Sequence, residues 1–160
     1  MRKEKALLMG YKGPPKDLMH KIGHWGICFF SSLRWLLRTG KFKKVIYSHV
    51  ELNINGNSYT SSSRDGGVRM KYIDIYSGHW DLFEVTIDTD YALDWFTKNE
   101  GKKYDWAGIF RFLIPFLPHG KDQYFCNEAV GHMMMIPNPE NTTPDEFIEI
   151  IKKKYGERTS

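Results

Sequence analysis

The 160-residue sequence predicts an α+β fold in which an antiparallel sheet packs against helices. Two observations favour this class. Strand-like segments with a two-residue hydrophobic period follow one another between residues 44 and 88, and helical periods occupy the chain before and after that stretch. Strands grouped in the sequence favour antiparallel pairing, whereas a parallel sheet would alternate strands with helices. Because the length is near the common size of one domain, we expect residues 1–160 to form a single domain.

The first part of the chain predicts a strand and then a helix. KALLMGY (5–11) is typical of a short buried strand, and the KGPP that follows forces a turn. Residues 16–38 have the three-and-four apolar spacing of an amphipathic helix, although Gly23 and Gly26 weaken its middle. Cys28 lies on the apolar stripe and is interpreted as a small core residue. The stripe consists of Leu18, Ile22, Trp25, Cys28, Phe29, Leu33, Leu36 and Leu37.

The middle of the chain predicts an antiparallel meander. VIYSHVELNI (45–54) alternates as a half-buried strand does, and Asn55-Gly56 after it is the strongest short hairpin signal. NSYTSSSR is the returning strand, RDGGVR turns again, and VRMKYIDI and WDLFEVTID predict two more strands. The alternation of the first strand predicts one side formed by Ile46, Val50, Leu52 and Ile54, and the other by Tyr47, His49, Glu51 and Asn53.

The chain after Asp88 predicts four helical segments. A helix is expected over 90–99, closed by Gly101, and an aromatic-rich segment over 105–113, broken by Pro115 and Pro118. A short helix is expected to start near Asp122 and to include Cys126. The last helix has Thr143 as N-cap and Pro144 at its first position, with lysines in the final turn.

Composition and charge exclude several functional classes. The chain is 41% hydrophobic and 15% aromatic, as packed globular proteins are, and contains no apolar run of the ~18 residues that a membrane span needs. The N-terminus lacks the features of a secretory signal, so we expect a cytoplasmic protein or, if viral, one in the host cytoplasm or the virion. Its compact size suits a phage or bacterial protein. The net charge is +4, but the basic runs 41–44 and 152–154 are separated by acidic stretches, and we expect no nucleic-acid partner.

A cysteine and a histidine are the main candidates for chemistry. Without a secretory signal, Cys28 and Cys126 are expected to be reduced. Cys126 falls in the first turn of its helix, where backbone N–H groups and the helix dipole favour a thiolate. A thiolate hydrolase also needs a base, which His49 would supply, and a polar group to orient it, for which Glu51 is two residues away on the same strand face. The alternative is a solvated His-Glu face and a buried thiol.

Three short stretches carry a resemblance to a known family. YSHVEL (47–52), the glycine and aspartate of GKKYDWAGIF (101–110) and YFCNEAV (124–130) resemble the permuted papain-like cysteine hydrolases, the YiiX-like branch of the NlpC-type superfamily. In those proteins the histidine strand precedes the cysteine helix, as it does here. The resemblance spans roughly Ala6 to Met134.

The resemblance implies roles for individual residues. It implies Cys126 as nucleophile, His49 as general base and Glu51 as the residue that orients the base, with Ser62 or Ser63 on the neighbouring strand as alternatives to Glu51. The family commonly has Cys-Ser-Glu where this chain has Cys126-Asn127-Glu128. The oxyanion hole would combine the Cys126 backbone N–H with a hydroxyl, and the candidates for that hydroxyl are Tyr104 and Tyr124.

Other polar residues have less specific interpretations. Arg64, Asp65 and Arg69 make a charged turn, and all three, with Ser62, are candidates for contacting the substrate. His20 and His24 lie four residues apart but lack the further ligands of a zinc site, so they are interpreted as surface histidines, and no metal and no cofactor are predicted. HMMMIP (132–137) is interpreted as core, and YDWAGIFRFLIPF (104–116) either as core or as one side of a groove beside Cys126.

The function expected from the resemblance is amide hydrolysis through a thioester acyl-enzyme. Peptide bonds or peptidoglycan-stem amides are the leading substrates, and the fold alone does not fix the choice. Acyl transfer or lipid ester hydrolysis is the alternative within the same superfamily. A non-catalytic binding protein that retains the fold is the alternative from another class. The oligomeric state is left open.

Overall fold

The structure, a computed structural model, describes residues 3–13, 18–111, 114 and 120–155, without the side chains of residues 18–20 and 22. The described part therefore excludes Leu113, Pro115 and Pro118. It also excludes the side chains of Leu18, His20 and Ile22. The strands are β1 (Lys3–Tyr11), β2 (His49–Ile54), β3 (Asn57–Ser62), β4 (Gly67–Tyr72), β5 (Trp80–Asp88), β6 (Lys103–Tyr104) and β7 (Gln123–Tyr124). The helices are α1 (Leu18–Thr39), α2 (Thr89–Asn99), α3 (Ala107–Arg111), α4 (Cys126–Met133) and α5 (Pro144–Tyr155), with a 3-10 turn at Pro139–Asn141.

The described strands form one curled sheet, and the prediction of an α+β fold is confirmed. Their order is β5-β1-β2-β3-β4-β6-β7, with every neighbouring pair antiparallel except β6 and β7. The meander is confirmed for β2, β3 and β4 but wrong for β5, which crosses the sheet to pair with β1 along its whole length. The parallel pair β6 and β7 was not expected, because two-residue strands have no periodicity to detect.

The hairpin between β2 and β3 forms as predicted. Asn55 and Gly56 have φ values of 51° and 88°, the left-handed backbone that a two-residue turn of this kind requires. The turn sets the register in which Ile54 pairs with Asn57 and Leu52 with Tyr59.

Strand β2 is buried on both faces, so the prediction of a half-buried strand is wrong. Val50, Leu52 and Ile54 pack in the core as expected, with exposed fractions of 0–2%. Glu51 and Asn53 on the opposite face are buried as well, at 1% and 5%. A strand with both faces covered needs partners for its polar side chains, because an unpaired buried charge is costly.

Helix α4 packs against β2 and β3, and its first residue, Cys126, is completely buried. It begins at Cys126 and not near Asp122, which has a left-handed φ of 59° and precedes the short strand β7. Close to its end, a Cβ atom on Gly131 would lie 2.3 Å from Cβ of Pro139, so α4 and the 3-10 turn approach through a glycine.

Helix α1 runs unbroken through Gly23 and Gly26, but its orientation differs from the prediction. Trp25, Phe29 and Leu37 are 68%, 62% and 70% exposed, although the sequence predicted that they face the core. Cys28 is only partly buried. Among the described side chains of the stripe, Trp25, Phe29, Leu36 and Leu37 are therefore exposed, whereas Cys28 and Leu33 are partly buried.

The remaining helices follow their capping signals. The Asp88 side chain accepts a hydrogen bond from the Tyr91 N–H at the start of α2. At α5, Thr143 and Glu146 exchange hydrogen bonds of 3.2 and 2.9 Å, the predicted N-cap strengthened into a capping box. None of the described helices has the length and apolar character needed to cross a bilayer.

Candidate active site

Cys126 occupies the first position of α4. The chain enters the helix from an extended Phe125, and the Glu128 carboxylate accepts the Phe125 N–H at 3.2 Å, so the helix starts at a fixed residue. The first N–H groups of a helix have no intrahelical acceptor, and the helix dipole favours negative charge there. The thiol is completely buried, so a substrate can reach it only through the groups that cover it.

His49 is the first residue of β2, and its imidazole interacts with Cys126. Burial of the ring opposes its protonation, but the charge of the Cys126 thiolate, hydrogen bonding to it and the Glu51 carboxylate outweigh burial and raise the pKa of His49 to about 9. The ring keeps 23% of its surface exposed. His49 thus links the buried sulfur to the outside, in the position that a base and proton donor requires.

Glu51 holds the other side of the His49 ring. Its Oε1 lies 3.2 Å from Nε2 of His49, because residues two apart on a strand project from the same face. Burial tends to raise the pKa of the Glu51 carboxyl, but the hydrogen bonds and charges of His49 and Arg69 lower it below its usual range. Glu51 is therefore an anion in a buried position beside the His49 ring.

Arg69, on β4, neutralises Glu51. Its Nη2 donates to Oε1 of Glu51 at 2.7 Å and its Nη1 to Oε2 at 3.0 Å, a two-pronged contact that fixes the plane of the carboxylate. Asp65 in turn accepts from Nε of Arg69 at 2.8 Å and lies 3.3 Å from Nζ of Lys71. Burial opposes ionisation of Asp65, but these two cations lower its pKa to about 2.

The charged turn therefore divides into two parts. Asp65 and Arg69 were both expected to contact substrate. Arg69 is instead bound to Glu51, and Asp65 is paired with Arg69 and Lys71. Arg64 and Ser62 instead line the cavity beside His49, together with Ser63. Ser62 and Ser63 are not hydrogen-bonded to His49 by any contact among the described residues, whereas Glu51 is.

A cavity of about 380 Å³ opens above His49. One end is polar, with His49, Glu51, Arg69 and the residues of the charged turn. The remaining walls are mainly aromatic and aliphatic. Those walls are formed by Tyr11, Ile27, Trp80, Tyr104, Trp106 and Ile109. Of the stretch 104–116, Tyr104, Trp106 and Ile109 line the cavity, and Tyr104 also belongs to the hydrophobic core, so both interpretations apply to the part that the structure describes.

The two tyrosines considered for the oxyanion hole differ in position. Tyr104 lines the cavity, and burial together with the charges of Cys126 and Asp105 raises its pKa well above the usual value, so its hydroxyl stays protonated and able to donate. Tyr124 instead donates its hydroxyl proton to Oδ1 of Asn99 at 3.1 Å and packs against Trp95. Tyr104 is the better placed of the two.

Buried polar contacts hold the elements around Cys126. Asn127 donates through Nδ2 to the backbone oxygens of Pro139 at 3.0 Å and Thr142 at 2.8 Å, so it ties α4 to the 3-10 turn. Asp105 forms an ion pair with Arg111 and accepts the Gly108 N–H at 3.0 Å, which fixes α3 beside the cavity. Asn127 therefore has its own structural partners, the backbone oxygens of Pro139 and Thr142.

Helix α1 adds a histidine that the sequence placed on the surface. His24 lines the cavity, and its Nδ1 lies 2.6 Å from Oγ of Ser48, next to His49. Burial lowers the pKa of His24. Cys28 Sγ lies 3.9 Å from Nε2 of His24, but burial and the charge of Asp145 raise the pKa of the Cys28 thiol to about 11. In the described part of the chain no cluster of His, Cys, Asp and Glu could hold a metal ion.

Comparison with protein-family models, with curated proteins and with solved structures found no match for this chain. Function is therefore inferred from the residues around Cys126 and His49.

Proposed function

We propose that this protein is a cysteine hydrolase of the permuted papain-like, NlpC-type class, with Cys126 as nucleophile, His49 as base and Glu51 as the group that orients His49. The observation that carries the proposal is the position of the His49 ring, between a cysteine at a helix start and a buried carboxylate 3.2 Å from Nε2. The order of the histidine strand before the cysteine helix supports the permuted class.

The first step is attack of the Cys126 thiolate on a carbonyl carbon. Because Nε2 of His49 faces Glu51, Nδ1 is the ring nitrogen left to exchange a proton with the thiol. Glu51 stabilises the imidazolium that results, and Arg69 keeps Glu51 ionised and in plane. The pKa of His49, raised to about 9, supports a protonated ring at neutral pH, which can donate a proton to a leaving group.

The tetrahedral intermediate places a negative charge on the former carbonyl oxygen. We assign the Cys126 backbone N–H, at the start of α4, and the hydroxyl of Tyr104, which lines the cavity, as the donors to that oxygen. The His49 imidazolium then protonates the leaving amine, the C–N bond breaks, and a thioester to Cys126 forms. Neutral His49 takes a proton from water, the hydroxide attacks the thioester, and the acid and the free thiol are released.

Peptide or peptidoglycan-stem amides are the proposed substrates. Arg64 at the polar end of the cavity is a partner for a carboxylate near the scissile bond, such as that of a stem peptide. The apolar walls favour the alternative, transfer or hydrolysis of an acyl group, because a 380 Å³ cavity lined by aromatic side chains accommodates an acyl chain. A binding protein that retains the fold is the remaining alternative.

Two measurements test the proposal. The first compares alkylation of the two thiols by iodoacetamide at neutral pH, with each site followed by mass spectrometry in the unmodified protein, Cys28→Ser and His49→Ala. We expect Cys126 to react much faster than Cys28, whose pKa of about 11 keeps it protonated, and we expect His49→Ala to slow Cys126. Equal rates at both thiols would remove the thiolate nucleophile.

The second measurement identifies the bond that is cleaved. The unmodified protein and Cys126→Ala are incubated with peptidoglycan stem peptides and with acyl esters, and products and the mass of the intact protein are recorded. Amide cleavage that Cys126→Ala abolishes supports the hydrolase, and an acyl adduct on Cys126 from the esters alone favours acyl transfer. If neither the stem peptides nor the acyl esters are turned over and Cys126 does not react with iodoacetamide, the non-catalytic binding protein is the remaining alternative.

A further inference from the structure

Helix α1 carries apolar side chains on its outer side as well as on the side that packs against the protein. Trp25, Phe29, Leu36 and Leu37 are 68%, 62%, 38% and 70% exposed, and we refer to these four residues as the outer apolar face. The inner side is already apolar, because Ile27 and Phe30 pack against the core. Globular proteins usually place polar side chains on the outer side of a surface helix, so the outer apolar face requires an explanation.

The outer apolar face is a continuous stripe. At about 100° per residue, Trp25, Phe29 and Leu36 fall within roughly 40° of one another around the helix axis. His24, which lines the cavity, lies about 100° from Trp25 in the opposite direction, so cavity and stripe are on different sides of α1.

Helix α3 extends the apolar surface up to the cavity. Phe30 of α1 and Phe110 of α3 pack with ring centroids 6.0 Å apart. Phe110 is 56% exposed and Trp106 is 59% exposed, and Trp106 also lines the cavity. The cavity and the exposed apolar surface therefore share Trp106.

The charged residues of α1 and of the segment that follows it are all basic. Residues 18–46 contain six lysines and arginines and no aspartate or glutamate. Three of the six have acidic partners, since Arg34 and Arg38 contact Glu146 and Lys43 contacts Asp145. The other three are exposed on or just after the helix, namely Lys21, Lys41 and Lys44.

We propose that the outer apolar face of α1 docks on an anionic lipid surface. Exposed Trp, Phe and Leu beside lysines is the composition of helices that lie in the plane of a bilayer interface. The apolar side chains enter the boundary between headgroups and acyl chains, and the lysines contact lipid phosphates. With 22 residues α1 is about 33 Å long, and it lies on the bilayer because no described helix has the character needed to cross it.

Charge favours lipid over a second copy of the chain. A symmetric dimer through the outer apolar face would bring two identical surfaces together, each with exposed lysines and no acidic residue from residue 18 to residue 46. An anionic bilayer supplies the opposite charge. Docking of the outer apolar face is a property that goes beyond the proposed hydrolase and does not depend on it.

The test is sedimentation of the full chain with two kinds of vesicle, phosphatidylcholine alone and phosphatidylcholine with about 30% phosphatidylglycerol. We expect binding to the anionic vesicles that weakens at least tenfold in 0.5 M NaCl, because salt screens charges at a surface. Trp25→Ser/Phe29→Ser should weaken binding at least tenfold. Tyr72→Ser/Tyr76→Ser removes two aromatic residues that are 77% and 84% exposed elsewhere, and it should bind as the unmodified protein does.

Circular dichroism and thermal unfolding verify that both double variants fold. The proposal is overturned if the unmodified protein does not sediment with anionic vesicles, or if folded Trp25→Ser/Phe29→Ser binds them equally well. Light scattering without lipid gives a further test. The proposal is also overturned if the unmodified protein is a dimer and Trp25→Ser/Phe29→Ser is a monomer, because the outer apolar face is then an interface between two copies.

Discussion

Arg69 holds Glu51 through both oxygens of its carboxylate, at 2.7 and 3.0 Å, although the two residues lie on strands separated by β3. Glu51 is in turn the partner of His49. The orientation of the proposed base therefore depends on a residue 18 positions away in the chain.

Replacement of Arg69 should affect both stability and reactivity. Arg69→Met leaves Glu51 in a buried position with His49 as its only charged neighbour among the contacts described, and we expect a loss of about 3 kcal/mol in the free energy of unfolding. Arg69→Lys keeps the charge but not the two-pronged contact, and it should slow alkylation of Cys126 about tenfold. Urea unfolding and thiol alkylation measure the two effects.

Lys71→Met is the matched control for Arg69→Met. The Lys71 side chain is 49% exposed. Among the described ion pairs it contacts Asp65, which in turn contacts Arg69. We expect a change within about 0.5 kcal/mol. Similar losses in Arg69→Met and Lys71→Met would contradict a specific role for the contact with Glu51.

The protonation of His49 should extend well above neutral pH. With a pKa of about 9 in the folded protein and an ordinary value near 6.5 in the unfolded chain, protonated His49 favours the folded state. This stabilisation is fully present below about pH 6.5 and is lost as pH rises towards 9. NMR titration of the ring protons should give a midpoint near 9.

Cys126→Ala separates the causes of the His49 shift. Removal of the thiolate takes away the first of the two interactions that raise the pKa, so the midpoint should fall towards the ordinary histidine value. Glu51→Gln should lower it as well. A midpoint that stays near 9 in Cys126→Ala would show that His49 and Cys126 do not form an ion pair.

Tyr104 and Tyr124 offer a paired test of the oxyanion hole. Tyr104→Phe removes a hydroxyl in the cavity wall, and kcat should fall about a hundredfold with little change in KM on whichever substrate is turned over. Tyr124→Phe removes a hydroxyl bonded to Asn99 and should leave kcat within about threefold. The same loss in both variants would place the stabilising donor elsewhere.

Gly131 should be a position where a single methyl group is costly. Gly131→Ala places a Cβ 2.3 Å from Cβ of Pro139 and 3.2 Å from the Phe147 ring, so we expect a loss of about 1–3 kcal/mol from overpacking. Gly26→Ala in α1 meets no atom within 4 Å and should be neutral or stabilising by up to about 1 kcal/mol. Thermal unfolding compares the two, and equal effects would contradict close packing of α4 on the 3-10 turn.

Local signals predicted most of the elements. The Asn55-Gly56 turn, the Thr143 cap and the alternation of WDLFEVTID act through neighbours in the sequence, and the structure follows them. The pairing of β5 with β1 joins residues about 80 positions apart. A hydrophobic period describes only near neighbours in the chain, so it does not indicate which distant strands pair.

The same division applies to the site. The side chains of His49 and Glu51 are brought together by the period of a strand, so their contact was predictable. Arg69 reaches Glu51 only because β4 pairs beside β3, so this contact depends on the pairing of strands and not on a local pattern. The orientation of α1 could not be derived from its pattern, because a hydrophobic period identifies an apolar side but not what covers it.

The register of β4 has a consequence for newly made chains. Arg69 lies opposite Thr60 of β3, and a shift of one residue would turn its side chain to the other face of the sheet. Glu51 would then lose its guanidinium partner, and His49 would lose a fixed carboxylate. The proposed nucleophile would therefore lack an oriented base in a misregistered chain, which would tie the proposed activity to correct assembly of the sheet.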